Sequence, residues 1–220
     1  MTPDRLGGLA ALFNAAAYLF GFAIFFAVLD RGGYEGLGGN LAFALDNQAV
    51  MSLAMVALYL AFGVALTILV VTLHRYLHQD PGTDLAMQIA TAFGLIWAGL
   101  VLASGMIGLV GLQTVASIAT NDADAAAIVW SAVSIVQSAL GGGIEIVGGL
   151  WMLLISIVGL QSGLLPRWLN WPGIVVALAG IATLVPGLGD LAALFGLGQI
   201  IRFAMLGMLM LRRPAAIPQH

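Results

Sequence analysis

Long apolar segments separated by short polar connections run along the chain, and this pattern predicts transmembrane helices. Six such segments can be marked, at residues 9–29, 49–73, 85–112, 125–160, 168–185 and 191–211. About 20 apolar residues in a helix cross a hydrocarbon core roughly 30 Å thick. The runs lack the alternation of lipid-facing β-strands. We therefore expect an all-α integral membrane bundle of six transmembrane helices in one domain, residues 1–213, with a loose C-terminal tail at 214–220.

The fifth segment is shorter than the others and allows two interpretations. Pro172 lies near its start and Pro186 at its end, so only residues 173–185 are uninterrupted. These residues rise about 20 Å in a helix, which is short for a crossing. A helix that begins near Trp168 would hold Pro172 close to its first turn and cross. A re-entrant half-helix would instead leave five crossings.

The arginines favour six crossings. With six, one side of the membrane carries only Arg31, and the other carries Arg5, Arg75, Arg167, Arg212 and Arg213. With five crossings the bias falls to three against three. Cytoplasmic connections are enriched in arginine, so both termini are predicted to be cytoplasmic in a bacterial inner membrane. The connections on the other side are predicted to be loops, and the first of them contains Asp30, Glu35 and Asp46.

Composition excludes several classes of protein. The chain of 220 residues is 61% hydrophobic and 8% charged, against about 45–50% apolar and 25% charged in soluble domains. Its net charge of −3, with no lysine, offers no basic surface for nucleic acid. With no cysteine, disulfides and thiolate metal sites are also excluded. The lipid bilayer is the expected partner of most of the surface.

Two charged residues lie inside apolar segments. Glu145 is in the fourth segment and Arg202 in the sixth. A central arginine costs about 2.5–3.5 kcal/mol on insertion scales, so such residues usually face protein or water and find a partner. Rises along straight helices place the two residues about 9 Å apart in depth. This distance allows an ion pair between the two helices, which helix tilt would make or break.

A polar stripe precedes Glu145 on the fourth segment. Ser131, Ser134 and Ser138 share one face at 100° per residue. One interpretation is a hydrated vestibule that leads to a proton- or ion-binding Glu145. The other is a helix-packing seam of small residues, fixed by one buried ion pair.

Three further polar residues are candidates for a buried cluster. Gln199 is one turn before Arg202, while Asn14 and Tyr18 are four positions apart on the first helix. Interhelical hydrogen bonds of this kind average below about 1 kcal/mol, which suits a structural role as well as a functional one.

The histidines give only a weak metal candidate. His74 and His78 are spaced to share a helical face, but the glutamate of a zinc-protease motif is absent between them. Both residues come at the aqueous end of the second helix, and a solvated interfacial face is the preferred interpretation. Asp80 and Asp84 follow, and His220 is in the tail. No catalytic residue, resident metal or cofactor is predicted.

One stretch of the chain resembles a known family. Residues 161–171, read Gln-Ser-Gly-Leu-Leu-Pro-Arg-Trp-Leu-Asn-Trp, resemble the bacterial multi-pass membrane family catalogued as domain of unknown function four-three-eight-six. Arg5 ahead of Gly7-Gly8-Leu9 and the His74-Arg75 turn are also similar. The resemblance implies a topology, in which a short helix precedes a final helix that ends in basic residues. It implies no catalytic residues.

Two functional hypotheses follow. The first is a non-enzymatic membrane protein or accessory subunit, which contacts another membrane subunit or a second copy through glycine-rich helix faces. The second is a small proton- or ion-coupled transporter or channel that uses Glu145 and Arg202 inside the bilayer.

Overall fold

The computed structural model describes residues 2–78, 83–142 and 145–212. Of these residues 87% are helical and none is in a strand, so the all-α prediction is confirmed. The described residues form nine α-helices: α1 (Pro3–Ala23), α2 (Gly36–Asp46), α3 (Gln48–Met55), α4 (Phe62–Leu77), α5 (Asp84–Ala119), α6 (Ala123–Gln137), α7 (Ile146–Ser162), α8 (Arg167–Ala182) and α9 (Leu191–Arg212). Single π turns extend or join some of them: Ile24–Val28, Val56–Ala61 and Ser138–Gly142. The predicted tail at 214–220, together with Arg213 and Asp80, lies outside the described residues.

Five stretches of helix are long and apolar enough to cross a bilayer by length and composition. They are Pro3–Ala23, Gln48–Leu77, Asp84–Ala119, Ala123–Ser162 and Leu191–Arg212. Between 44% and 50% of the most apolar window of each is buried. Since the rest of these apolar windows is half-buried or exposed, a hydrocarbon solvent suits the surface. These five helices indicate a membrane protein.

Helix α8 is not one of the five. Its 16 residues span about 24 Å, below the roughly 30 Å of a hydrocarbon core. Pro172 lies inside this helix rather than at its first position, and Pro166 precedes it in an extended conformation. The sixth crossing therefore stays a prediction.

Two local differences from the sequence prediction have clear physical causes. The segment predicted as one helix over 125–160 is divided between α6 and α7, with non-helical backbone at Gly141. Gly141 opens a run of three glycines, each costing about 1 kcal/mol in a helix interior. The predicted first outer loop also contains helix α2, whose Leu41, Phe43 and Ala44 are buried.

The helices gather into two compact units, each of which draws on separate stretches of the chain. Unit 1 takes its described residues from 2–16, 64–78, 83–98 and 145–212, and unit 2 from 17–63 and 99–142.

Unit 1 is built on close packing of α7, α8 and α9. The left-handed Gly163 (φ 67°) ends α7 and turns the chain into α8. A Cβ on Gly149 of α7 would stand 2.8 Å from the carbonyl oxygen of Ala177 and 3.0 Å from the backbone nitrogen of Ile181. Glycine at this position therefore lets the backbones of α7 and α8 touch. An aromatic cluster of buried rings packs beside them: Trp97, Trp151, Phe195 and Phe203.

Unit 2 has its own core between α2, α3, α5 and α6. The core contains Leu41, Ala44, Met55, Leu112, Val115, Ala126, Ala127 and Trp130. Glycines of α5 again allow close approach: a Cβ on Gly111 would stand 2.5 Å from Val133 Cγ1, and one on Gly108 would stand 2.7 Å from Gln137 Nε2. These glycine contacts are intramolecular, and association with a partner through glycine-rich faces stays a prediction.

The Gly149 contact gives the first testable prediction. We expect Gly149→Ala to destabilise the protein by about 1–3 kcal/mol, because the new methyl group meets backbone atoms that cannot rotate away. Gly99→Ala is the matched control, since a Cβ there meets no atom within 4 Å. The control is expected to be neutral or stabilising by up to about 1 kcal/mol. Thermal unfolding in mild detergent measures both, and equal midpoints would contradict the close contact.

Candidate functional site

A large cavity in unit 2 is lined by seven polar side chains. Its volume is about 910 Å³, within the range of about 300–1,000 Å³ typical of small-molecule sites. Its polar lining residues are Arg31, Asn40, Tyr59, Ser131, Ser134, Gln137 and Ser138. Its apolar lining residues are Phe25, Leu37, Phe43, Met51, Ala54, Met55, Ala127, Trp130, Ile135 and Ala139. The cavity thus offers both hydrogen-bonding groups and an apolar surface.

The three serines of the predicted stripe all line this cavity. Ser131 and Ser134 are half-buried, and Ser138 is exposed. Their hydroxyls make no hydrogen bond to other described residues. Elsewhere in the chain, Thr91 and Ser156 donate to the carbonyl four positions earlier, at 2.8 and 2.7 Å. The serine face of α6 is therefore available to a ligand or to water.

Arg31 brings a positive charge to the same cavity. It is exposed, and its Cζ atom stands 4.9 Å from the centre of the Phe43 ring, a cation–π distance. The Phe43 ring also meets Tyr34 edge-on, with centroids 5.4 Å apart. Tyr34 in turn donates a hydrogen bond of 2.9 Å to Asp46 Oδ2, which raises the pKa of the Tyr34 phenol because the bond needs its proton. These contacts tie the segment around Arg31 to helix α2.

Arg202 lies in a different place, inside unit 1. It is only 2% exposed, and its Nη1 donates to the carbonyl of Leu169 at 3.0 Å. A Cβ on Gly173 would collide with that nitrogen and would stand 2.6 Å from Ser156 Oγ. Glycine at 173 therefore leaves the space that the guanidinium fills. Its Nε and Nη2 have no hydrogen-bond partner among the described residues.

Glu145 lies at the opposite end of α8. Its backbone nitrogen donates to Thr183 Oγ1 at 3.0 Å, and its carbonyl accepts the first hydrogen bond of α7, from Gly149 at 2.8 Å. The residue is half-buried. As the N-cap of α7, its carboxylate also sits near the positive end of a helix dipole.

The structure does not join Glu145 and Arg202 in an ion pair. In the part of the chain that the structure describes, the ion pair present is His78 with Asp84, at 3.1 Å. Arg202 is level with Gly173 on α8, whereas Glu145 is beside Thr183. Ten positions on a helix separate their axial levels by about 15 Å, which exceeds the reach of the two side chains.

The remaining polar candidates are Asn14, Gln199 and Tyr18, and a cluster of them stays a prediction. Asn14 and Gln199 are fully buried, and no side-chain atom of either amide has a hydrogen-bond partner among the described residues. Tyr18 packs edge-on against Phe62, with centroids 5.4 Å apart. Glu145 is not among the residues that line the cavity, and the vestibule predicted to lead to it stays a prediction.

The two histidines make contacts of their own. Their rings stack with centroids 5.0 Å apart, His74 Nδ1 lies 2.7 Å from Thr91 Oγ1, and His78 Nδ1 pairs with Asp84. No group of three or more possible metal ligands occurs among the described residues. Asp80 and His220 lie outside them.

Sequence reasoning missed the residues that complete the cavity. Arg31, Asn40 and Gln137 were not candidates, although Arg31 is the one arginine predicted on the outer side. Asn40 lies on helix α2, whose apolar run is too short to predict a membrane-spanning helix. The isolated outer arginine was therefore the signal that could have found the site.

Comparison of the chain with protein-family models, with curated proteins and with solved structures finds no match. The all-helical fold and its five long apolar helices indicate the class, a helical membrane protein. Membership of the family that residues 161–171 resemble stays a prediction.

Gln199 gives the second testable prediction. A buried polar group without a partner costs about 1–3 kcal/mol, so Gln199→Met should raise the free energy of unfolding by up to that amount. Gln88→Met is the control, because Gln88 is exposed and donates to Asp84 Oδ2 at 3.0 Å. Thermal unfolding in detergent compares the two. A fall in stability of Gln199→Met would show that its amide has a partner, such as water.

Proposed function

We propose that this protein is a multi-pass protein of the bacterial inner membrane that acts without catalysis, by binding an amphipathic molecule in the cavity of unit 2. The single observation that supports this proposal is the lining of that cavity. Serine hydroxyls that no described residue engages lie on one helix and face an apolar surface that includes Met51, Met55 and Trp130. A mostly apolar pocket with a small number of convergent polar groups is typical of small-molecule sites.

The proposed topology has six crossings with both termini in the cytoplasm. Helix α8 is short but starts directly after Pro166 and packs against α7, and its length of about 24 Å would cover most of the hydrocarbon thickness. The arginine bias of five against one supports this arrangement. It places Arg31 on the outer side, so the cavity receives its ligand from the outer half of the membrane or from beyond it.

The alternative function, a proton- or ion-coupled transporter, has less support. It needs Glu145 and Arg202 to share a pathway inside the bilayer, and the two lie about 15 Å apart along α8. Arg202 is enclosed by Gly173, Ser156 and the Leu169 carbonyl. Transport through a lone Glu145 stays a prediction, for which Glu145→Gln would abolish flux without loss of expression. A role as an accessory subunit is compatible with ligand binding.

The topology can be tested with single cysteines, since the chain has none. We expect Asp190→Cys to react with a membrane-impermeant maleimide on intact cells, because six crossings put the α8–α9 connection outside. Asp124→Cys is the positive control outside, and Thr2→Cys is the protected control inside. Protection of Asp190→Cys, with labelling of Asp124→Cys, would instead support a re-entrant α8.

Ligand binding can be tested through Trp130, which lines the cavity and is 6% exposed. In a background that carries Trp168→Phe and Trp171→Phe, we expect dibromostearoyl amphiphiles, added to detergent micelles, to quench the fluorescence of Trp130. Ser134→Phe should abolish this quenching, because a ring in place of the hydroxyl fills the cavity. Ser117→Phe, on an exposed residue away from the cavity, should leave the quenching unchanged.

Trp130→Phe identifies the part of the signal that belongs to this residue. Equal unfolding midpoints for the two serine variants show that both are folded. Quenching that survives in Ser134→Phe would contradict binding in the cavity, and so would the absence of saturable quenching in the parent protein.

A further inference from the structure

The charge on the lining of the unit 2 cavity is positive. Among the described residues that line it, Arg31 is the one charged side chain, and no carboxylate lines it. A cationic ligand would therefore leave its charge without a partner and would meet repulsion from Arg31. An anionic group would find both a countercharge and hydrogen-bond donors.

Of the acidic residues near Arg31 along the chain, Asp30 and Asp46 have hydrogen-bond partners, and Glu35, like them, does not line the cavity. Asp30 Oδ1 accepts a hydrogen bond of 2.8 Å from the backbone nitrogen of Gly32, and Asp46 Oδ2 accepts that of Tyr34. Arg31 takes part in no ion pair with another described residue. Its guanidinium rests on the Phe43 ring, which orients the group while leaving its N–H donors available.

The serines supply further donors along one line. Ser131 and Ser134 of α6, with Ser138 at the start of the π turn that follows, cover two turns of one face, about 10 Å in length. A hydroxyl donates readily to a carboxylate or phosphate oxygen, and such charge-assisted hydrogen bonds are roughly twice as strong as neutral ones. The amides of Asn40 and Gln137 add donors to the same lining.

The rest of the lining requires an apolar part in the ligand. Aromatic and methionine side chains predominate there, and methionine adapts to irregular apolar shapes. A volume of about 910 Å³ is far larger than an inorganic anion needs. An anion alone would leave most of this surface in contact with water.

We propose that the cavity binds an anionic amphiphile, with its carboxylate or phosphate head at Arg31 and the serine face and its apolar tail against Met51, Met55 and Trp130. This inference rests on the proposed function, in which the cavity is a binding site, and adds the charge of the ligand. The same chemistry has two sources, an anionic lipid of the membrane or a free fatty acid.

The experiment measures head-group selectivity with matched tails. Dibromostearate, dibromostearyl alcohol and dibromostearoyl lysophosphatidylglycerol are titrated against the Trp130 signal in the background defined above. We expect both anions to bind the parent protein at least about tenfold more tightly than the alcohol, the factor that one charge-assisted contact of about 1.4 kcal/mol supplies. The tighter of the two anions indicates whether the source is a lipid or a free acid.

Arg31→Gln should reduce this preference to near unity while the alcohol keeps its affinity. Arg31→Lys retains the charge and should retain most of the preference. Arg167→Gln is the matched control, because Arg167 is exposed in unit 1 and should leave every affinity unchanged. Unfolding midpoints verify that the Arg31 variants are folded.

The outcomes separate this inference from the proposed function. If acid and alcohol bind the parent protein equally, and Ser134→Phe abolishes both, the cavity is a binding site without charge selection and the inference is overturned. If inorganic phosphate competes and the tail adds no affinity, the amphiphile is overturned in favour of a simple anion. If none of the probes quenches Trp130, the proposed function itself fails.

Discussion

Backbone contact between helices α7 and α8 is the constraint on which unit 1 depends. At Gly149 the missing Cβ brings the α8 carbonyl of Ala177 against α7. Within a membrane, helices gain little from hydrophobic association, so close van der Waals packing through small residues takes its place. The same contact fixes the level of Gly173, and with it the space for the guanidinium of Arg202. A packing requirement thus determines where a charge can be held.

The buried Arg202 and the exposed Arg31 therefore have different chemical possibilities. Arg202 is enclosed by α8 and donates to one backbone carbonyl, so its contribution is tied to the packing of its own helix pair. Its two nitrogens without a partner among the described residues make it costly, which is compatible with a structural role supported by buried water. Arg31 is exposed and rests on an aromatic ring. A ligand can reach it without disturbing a helix contact.

The sequence predicts the five long apolar helices well because a long apolar run has few alternatives once water is absent. The face that the serines share is predicted equally well, because it depends only on the local helical period and α6 is regular between Ala123 and Gln137. Two features escape this reasoning. Helix α2 lacks a long apolar run. The division between α6 and α7 depends on how three successive glycines are accommodated, beginning at Gly141. Neither follows from hydropathy alone.

The distance between Glu145 and Arg202 shows where sequence arithmetic stops. The predicted difference in depth of about 9 Å requires straight helices that start from a common membrane boundary. In the structure, Glu145 is the N-cap of α7 rather than part of a continuing helix, and Arg202 reaches toward the first turn of α8 instead of along its own axis. The glycine run changes the position of Glu145, and the space beside Gly173 accommodates the guanidinium of Arg202. Both effects arise from atoms that are missing, the Cβ atoms of glycines, and their consequences depend on which helices meet. The pairing of charges inside such a bundle is therefore set by its tightest contacts, whereas ligand recognition is left to the residues that those contacts do not enclose.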